Sequence, residues 1–139
     1  MVEQIAYEIA RNFDVTTKPD TLVLYSISFQ NNDENKQQAL VFIKNNPSYV
    51  TISDTPCGKA LEELDLFSPQ SPVSQEEAYK IWGIASRRMI LQASGNITAF
   101  VKGAHPLSTF RQYELPTIMS NEKIKTINKQ DKTSFFAEL

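Results

Sequence analysis

The sequence predicts a mixed α/β fold, bordering on α+β, with two unequal lobes. Apolar residues recur at helical spacing through the first two thirds of the chain, whereas the last third breaks into short β-favouring runs separated by turn residues. With 139 residues, 41% hydrophobic and 22% charged, the chain suits one ordinary globular domain covering 1–139. The one linker-like stretch, Ser68-Pro69-Gln70-Ser71-Pro72, divides a mainly helical lobe (1–70) from an α/β lobe (71–139).

The elements follow in order. Val2, Ile5, Ile9 and Phe13 recur at helical spacing, with Glu3, Gln4, Glu8 and Arg11 on the other face, so the chain opens on an amphipathic helix that ends near Asp14. After Lys18-Pro19-Asp20, residues 21–28 are β-favouring and read as a buried strand or an extended loop feeding a site. Asn31-Asn32-Asp33 reads as a turn and helix cap, and residues 34–44 as a helix, although Val41-Phe42-Ile43 also suits a strand. Asn46-Pro47 breaks the chain and Tyr49-Val50-Thr51 is extended. Asp54-Thr55-Pro56 starts a helix, proline being tolerated in a first turn, with Leu61, Leu64 and Phe67 facing the core. Ser74, with Glu77 three residues on, is a capping box for the longest helix, which runs to about Ala93 before Ser94-Gly95. Extended pieces follow at 97–101, 109–115 and 124–127, separated by Gly103, Pro106 and Pro116.

Several chemistries are excluded by composition. The net charge of -2 comes from scattered residues with no basic block, which argues against nucleic acid and membrane surfaces as partners. No stretch approaches the ~20 apolar residues of a membrane span, and the N-terminus lacks the pattern of an export signal, so Asn96-Ile97-Thr98 reads as a chance sequon. Cys57 stands alone, so no internal disulfide forms and the fold suits a reducing compartment. With His105 the single histidine, a zinc site of the usual composition is not available, no metal is expected, and a Ser-His-Asp triad would have to use a loop residue. The four glycines form no phosphate-binding loop. Carboxylates, hydroxyls and aromatics remain.

They gather in three constellations. Trp82 and Ser86 lie one turn apart on the longest helix, at the edge of an apolar stripe of Ile81, Ala85 and Met89, where a cleft wall would be; a lone tryptophan in such a place is more often core. In Ser108-Thr109-Phe110-Arg111-Gln112-Tyr113-Glu114, Thr109 and its neighbours offer hydroxyl and N–H donors to phosphate. If that segment is extended, Phe110, Gln112 and Glu114 share a face, and Glu114 is either aimed into a pocket or an exposed edge-strand acid. In Thr51-Ile52-Ser53-Asp54-Thr55-Pro56-Cys57-Gly58, Asp54 or Thr55 caps a helix whether or not the segment lines a site.

Together and in this order, the three resemble the motifs of the ADP-ribosyl cyclase and NAD glycohydrolase family. The family's W-x-x-x-S-R-R helix motif is similar to residues 82–88, its S-T-F-x-x-x-E motif to residues 108–114, and its T-L-E-D-T-x-x-G motif to residues 51–58; Tyr25-Ser26-Ile27 falls where the family has Trp-Ser-Arg. The likeness extends over about 22–128. The resemblance implies a cleft between a helical lobe and a lobe with a small, mainly parallel sheet. By position it makes Glu114 the catalytic carboxylate. Trp82 stacks on nicotinamide with Tyr25 as a second aromatic wall, Ser86 contacts the ribosyl-phosphate region, Thr109 and Phe110 bind the diphosphate, and Ser26, Ser53 and Asp54 line the site. Loss of nicotinamide leaves a ribosyl cation that a carboxylate stabilises, and an aromatic wall attracts the pyridinium by about 1–2 kcal/mol, so neither metal nor cofactor is needed beyond the substrate itself.

Three departures shape the expectation. Ser53 takes the place of an acidic residue tied to the balance between cyclisation and hydrolysis, which favours water as acceptor. Ile27 replaces a phosphate-binding arginine, leaving Arg111, in the slot after Phe110, as the candidate. The disulfides of the animal ectoenzymes have no counterpart, which points to a compact microbial relative. The expected function is an NAD(P)+ glycohydrolase, NAD or NADP being its substrate. Its expected setting is the toxin domain of a bacterial antibacterial effector, as in contact-dependent growth inhibition, delivered by a secreted or cell-surface parent into a target-cell cytoplasm and met by a cognate immunity protein. The alternatives are a cyclase making cyclic ADP-ribose, and a non-catalytic NAD- or ADP-ribose-binding or immunity protein.

Overall fold

A computed structural model describes residues 1–26 and 33–138. In chain order these form α1 (Val2–Asn12), β1 (Val23–Tyr25), α2 (Glu34–Asn45), a 3-10 turn (Ile52–Asp54), α3 (Pro56–Glu63), α4 (Gln75–Gln92) and β2 (Gly95–Phe100). A π-helical turn (Phe110–Glu114), α5 (Leu115–Ser120), β3 (Ile124–Ile127), β4 (Gln130–Asp131) and α6 (Lys132–Ala137) complete the order. The expected Asn31-Asn32 turn and the end of the 21–28 run, with Ile27, lie outside the described residues.

The sheet runs β1-β2-β3-β4, parallel in its first two pairings and antiparallel in the last. Val23, Leu24 and Tyr25 pair with Thr98, Ala99 and Phe100. The β3–β4 hairpin turns through Asn128 and Lys129, both at left-handed φ (51° and 64°), the conformation that a two-residue loop needs to match strand twist. Asn128 continues the sheet with its side chain, accepting from the Ala99 N–H at 2.8 Å and donating to the Ala99 carbonyl at 3.0 Å. The fold is thus α/β with a small, mostly parallel sheet.

Helix α4 organises the core. Ile81, Ala85, Met89 and Ile90 are fully buried, and α4 packs against α1, α3, the π-helical turn and α5. Ser74 caps it, accepting from the Glu77 N–H at 3.1 Å, but the expected reciprocal arm of the capping box is not made: the Glu77 carboxylate instead accepts a hydrogen bond from the Tyr7 hydroxyl. That bond ties α1 to α4 and, with burial, pushes the Tyr7 pKa up to about 12. Arg88 makes a second tie, donating to the carbonyls of Ala10 (2.6 Å) and Phe13 (2.9 Å), the acceptors that the end of α1 leaves without helical partners.

Several expectations are corrected. In α1 the buried face is Ala6, Ile9 and Ala10, while Ile5 and Phe13 stay exposed: small side chains let α1 approach α4 closely, and the bulkier ones turn outward. The expected 34–44 helix is found as α2, and it takes in residues 41–43, for which a strand was the alternative. In the 61–67 segment Leu61 and Leu66 fill the core, whereas Phe67 is exposed and stacks edge-on against Tyr79. Residues 109–115 are helical, not extended. Across residue 70, β1 and α2 pack with the sheet, and α4 packs with α1 and α3. Two short elements, β4 and α6, were not expected; Asp131 caps α6 by accepting from the Thr133 and Ser134 N–H groups. Among the described residues no helix is long and apolar enough to cross a membrane.

Candidate functional site

Glu114 is the anomaly that locates the site. Helix formation at 109–120 starts at Ser108, whose hydroxyl accepts from the Arg111 N–H at 3.2 Å and whose carbonyl accepts from the Gln112 N–H at 3.0 Å. This capping overrides the β preference of Thr109, Phe110 and Tyr113. The π-helical turn that follows bonds the Leu115 N–H to the Phe110 carbonyl, the wider spacing that often marks functional positions. Phe110, Glu114 and Leu115 are buried and Gln112 is exposed, so the expected Phe110–Glu114 face survives without Gln112. Glu114 as a whole is left 6% exposed. Burial raises its pKa from 4.5 to about 7, against the opposing effect of a hydrogen bond with the Ser86 hydroxyl.

Ser86 is itself buried, at 3% exposure, and Trp82, one turn earlier on α4, is half-buried against the core. Gly83 lets these elements meet, since a Cβ there would lie 2.8 Å from the Tyr113 ring. Trp82 packs against the core while keeping part of its ring exposed.

Tyr25 comes from the opposite side, at the carboxyl end of β1, where open α/β sheets bind ligands. Burial, and then the nearby charges of Glu62 and Glu114, raise its phenol pKa, while a hydrogen bond with the Ser53 hydroxyl lowers it. Ser53 also donates to the Glu62 carboxylate. Its neighbours in the motif do structural work. Asp54 accepts from the Thr51 N–H at 2.9 Å, and Thr55 accepts from the Gly58 N–H at 3.0 Å while donating to the Ile52 carbonyl at 2.6 Å. At Gly58 a Cβ would lie 1.8 Å from the Ile52 carbonyl oxygen, so only glycine lets the 3-10 turn rest on α3.

The structure thus brings Tyr25, Ser53, Ser86 and Glu114 together, with Trp82 adjoining. Ser26 is buried beside them, its N–H donating to the Phe100 carbonyl and its own carbonyl accepting from Asn35. Asp54 acts as a cap. Phe110 is core at 1% exposure, so any contact it makes with a phosphate is through its backbone. Thr109 opens the helical run, where the first N–H groups lack helical acceptors and the dipole favours an anion. Arg111 lies half-buried in the π-helical turn, in no ion pair among the described residues. Glu62, exposed on α3, joins this cluster by accepting the Ser53 hydrogen bond.

Two concavities, of about 270 and 340 Å³, lie elsewhere: one beside Asn35, Lys102 and Phe135, the other beside Arg87, Tyr113 and Thr117. Neither is lined by Glu114. A buried carboxyl with a hydroxyl partner is the stronger marker of chemistry, since volume alone binds nothing specific.

No protein-family model and no curated protein matches this sequence. Among solved structures, it is similar to an ADP-ribosyl cyclase complexed with N1-cIDPR, with a TM-score of 0.56 at 21% identity over 79% of this chain and 48% of that one. The chain has the ADP-ribosyl cyclase fold. Porcine CD38 complexed with a covalent intermediate, ribo-F-ribose-5'-phosphate, shares this fold, with a TM-score of 0.57 at 15% identity over 90% of this chain and 66% of that one. So does CD38 described as forming a conformationally flexible covalent enzyme–substrate complex, at 0.55 and 14% over 84% and 60%. The chain spans about half the length of the cyclase structure. The single cysteine of this sequence, Cys57, is buried.

Proposed function

We propose that this chain is an NAD(P)+ glycohydrolase that cleaves the nicotinamide–ribose bond to give nicotinamide and ADP-ribose. The observation that carries this reading is the buried Glu114 carboxyl beside Ser86, one helical turn from Trp82, in a chain with the cyclase fold. That solved neighbours are described with a covalent intermediate or a covalent enzyme–substrate complex supports chemistry at the ribosyl carbon.

The site suits the reaction. The C1′–N bond breaks with its electron pair going to the pyridinium nitrogen, so nicotinamide leaves neutral and positive charge develops at the ribosyl carbon. Glu114 in its ionised form stabilises that charge, and a desolvated carboxylate does so more strongly than a hydrated one. Ser86 orients the carboxylate. Trp82 and Tyr25 supply aromatic walls for the cationic ring, and the N–H groups at Thr109 and Phe110 suit the diphosphate. Water then adds at C1′ and its proton passes to Glu114 or to solvent.

The same reading extends to setting: the toxin domain of a bacterial antibacterial effector, delivered by a secreted or cell-surface parent, acting on NAD in a target-cell cytoplasm and neutralised by an immunity protein. The absence of any possible internal disulfide supports work in a reducing compartment. Incubation with NAD+ followed by product analysis tests the enzymology: nicotinamide and ADP-ribose are expected, and Glu114→Gln abolishes both. Absence of nicotinamide release by the wild type would overturn the enzyme reading, and a mainly cyclic product would replace hydrolase with cyclase.

A further inference from the structure

Two neighbouring arginines on α4 do different things. Arg88 is engaged at the end of α1, whereas Arg87 is exposed and makes no ion pair or side-chain hydrogen bond among the described residues. Arg87 lies four residues from both Gly83 and Leu91, so the three form one stripe along the helix. The Tyr113 ring closes on this stripe at Gly83, where a Cβ would lie 2.8 Å from it. Past the ring, Arg87 and Leu91 border the cavity of about 340 Å³, whose opposite wall is Gln112, Pro116, Thr117 and Ser120. Pro116 accounts for the wide turn on that wall. A proline inside a helical run has no N–H, and its ring meets the carbonyl four residues earlier, here that of Gln112; π-helical spacing relieves the conflict.

The cavity is chemically one-sided. Among its described lining residues Arg87 carries the one charge, with no acid opposed to it. A free guanidinium takes a carboxylate through two parallel N–H bonds. The exposed Gln112 amide adds a donor, and exposed Leu91, Pro116 and the Tyr113 ring offer an apolar floor to a flat body. The geometry points to a second, inhibitory site between α4 and α5 for a small aromatic carboxylate, its charge on Arg87 and its ring on Leu91 and Tyr113. Tyr113 carries the effect. Its ring is pinned between Gly83 and the cavity, its carbonyl accepts from the Thr117 hydroxyl at 2.8 Å, and Glu114 is the next residue. A ligand that displaces the ring moves Glu114 relative to Ser86, because packed elements pass on strain, and a small misplacement of a reacting group slows the chemical step. Binding follows from the cavity alone; the effect on turnover rests on the glycohydrolase reading.

The test is calorimetric titration of the full chain with 1-naphthoate, compared with inorganic phosphate, which has the charge without the ring, and 1-naphthalenemethanol, which has the ring without the charge. Naphthoate is expected to bind at one site, about tenfold or more tighter than either comparison compound. Arg87→Gln is expected to weaken it about tenfold, and Arg87→Lys, which keeps the charge without the fork, by less. Saturating ADP-ribose is expected to leave naphthoate affinity within about twofold, and saturating naphthoate to lower kcat for nicotinamide release about threefold or more with KM for NAD+ little changed. That inhibition is lost in Arg87→Gln. Absence of naphthoate binding, equal binding by wild type and Arg87→Gln, or displacement by ADP-ribose overturns the site, and binding without inhibition overturns its coupling to Glu114. If the wild type releases no nicotinamide, the glycohydrolase reading and the inhibitory role fall together, while the titrations still decide whether the cavity binds.

Discussion

Replacing Glu114 by glutamine is expected to stabilise the protein while removing its activity. The carboxyl is almost wholly buried, and its pKa stands at about 7 against 4.5 in an unburied chain. A raised folded-state value means that this group weighs nothing against folding at low pH, where it is protonated in both states. As pH rises through 4.5 the unfolded chain gains by ionising, and the disadvantage to the fold grows until pH passes about 7, where it levels off. At 1.36 kcal/mol per tenfold change in proton affinity the plateau is about 3 kcal/mol, and at pH 5 the effect is about 1 kcal/mol. Glutamine has nearly the same volume, carries no charge and can still hydrogen-bond Ser86. Urea denaturation of wild type and Glu114→Gln should therefore show the variant more stable by about 3 kcal/mol at pH 8, and by only about 1 kcal/mol at pH 5. An advantage equal at the two pH values would refute the reasoning, because burial of a titrating carboxyl could not then be its origin. A variant less stable at pH 8 would refute it more directly, showing the carboxylate to be supported by partners that outweigh its desolvation.

The same carboxyl sets the expected pH profile: kcat/KM for nicotinamide release rises with pH and reaches half its plateau near 7, where a midpoint at 4 to 5 would show Glu114 to be solvated in the working enzyme. Trp82→Ala is expected to lower kcat/KM about tenfold or more and Trp82→Phe much less, measured by initial rates, since an aromatic face against a cation is worth about 1–2 kcal/mol. Arg88→Ala removes both hydrogen bonds to the end of α1 and should cost about 2–3 kcal/mol in urea denaturation while kcat changes less than threefold. Gly58→Ala places a methyl where the Ile52 carbonyl stands, so loss of about 2 kcal/mol or more, accompanied by a raised KM as Ser53 shifts, is the expected outcome of the same two measurements.

What could be read in the sequence divides along physical lines. The Ile81, Ala85 and Met89 stripe and the Ser74 start of α4 were legible because a long helix repeats its signal over many turns. The face of α1 was misread because its burial is made by alanines. Ala6 and Ala10 carry little hydrophobic weight in a periodicity count, yet they decide how closely two helices approach. The 109–115 segment was misread for a related reason: its β-favouring residues are local preferences, whereas capping by Ser108 and burial of Phe110, Glu114 and Leu115 on one face are set by the surrounding fold. Nothing in the spacing of five residues announces a π-helical turn.

The site was legible to the extent that its residues recur as a spaced pattern, and illegible where contacts depend on the fold alone. The 51–58 motif shows the distinction. Its helix-capping interpretation is correct for Thr51, Asp54, Thr55 and Gly58, whose side chains and backbone hold one another. Such a scaffold does not compete with a binding role, because it fixes where Ser53 points and so places the hydroxyl that joins Tyr25 to Glu62. Glu62 itself carries no motif, since an exposed glutamate on a short helix is ordinary until a neighbouring turn is folded against it. Within this fold, then, the residues that a pattern preserves are mostly those that build the frame.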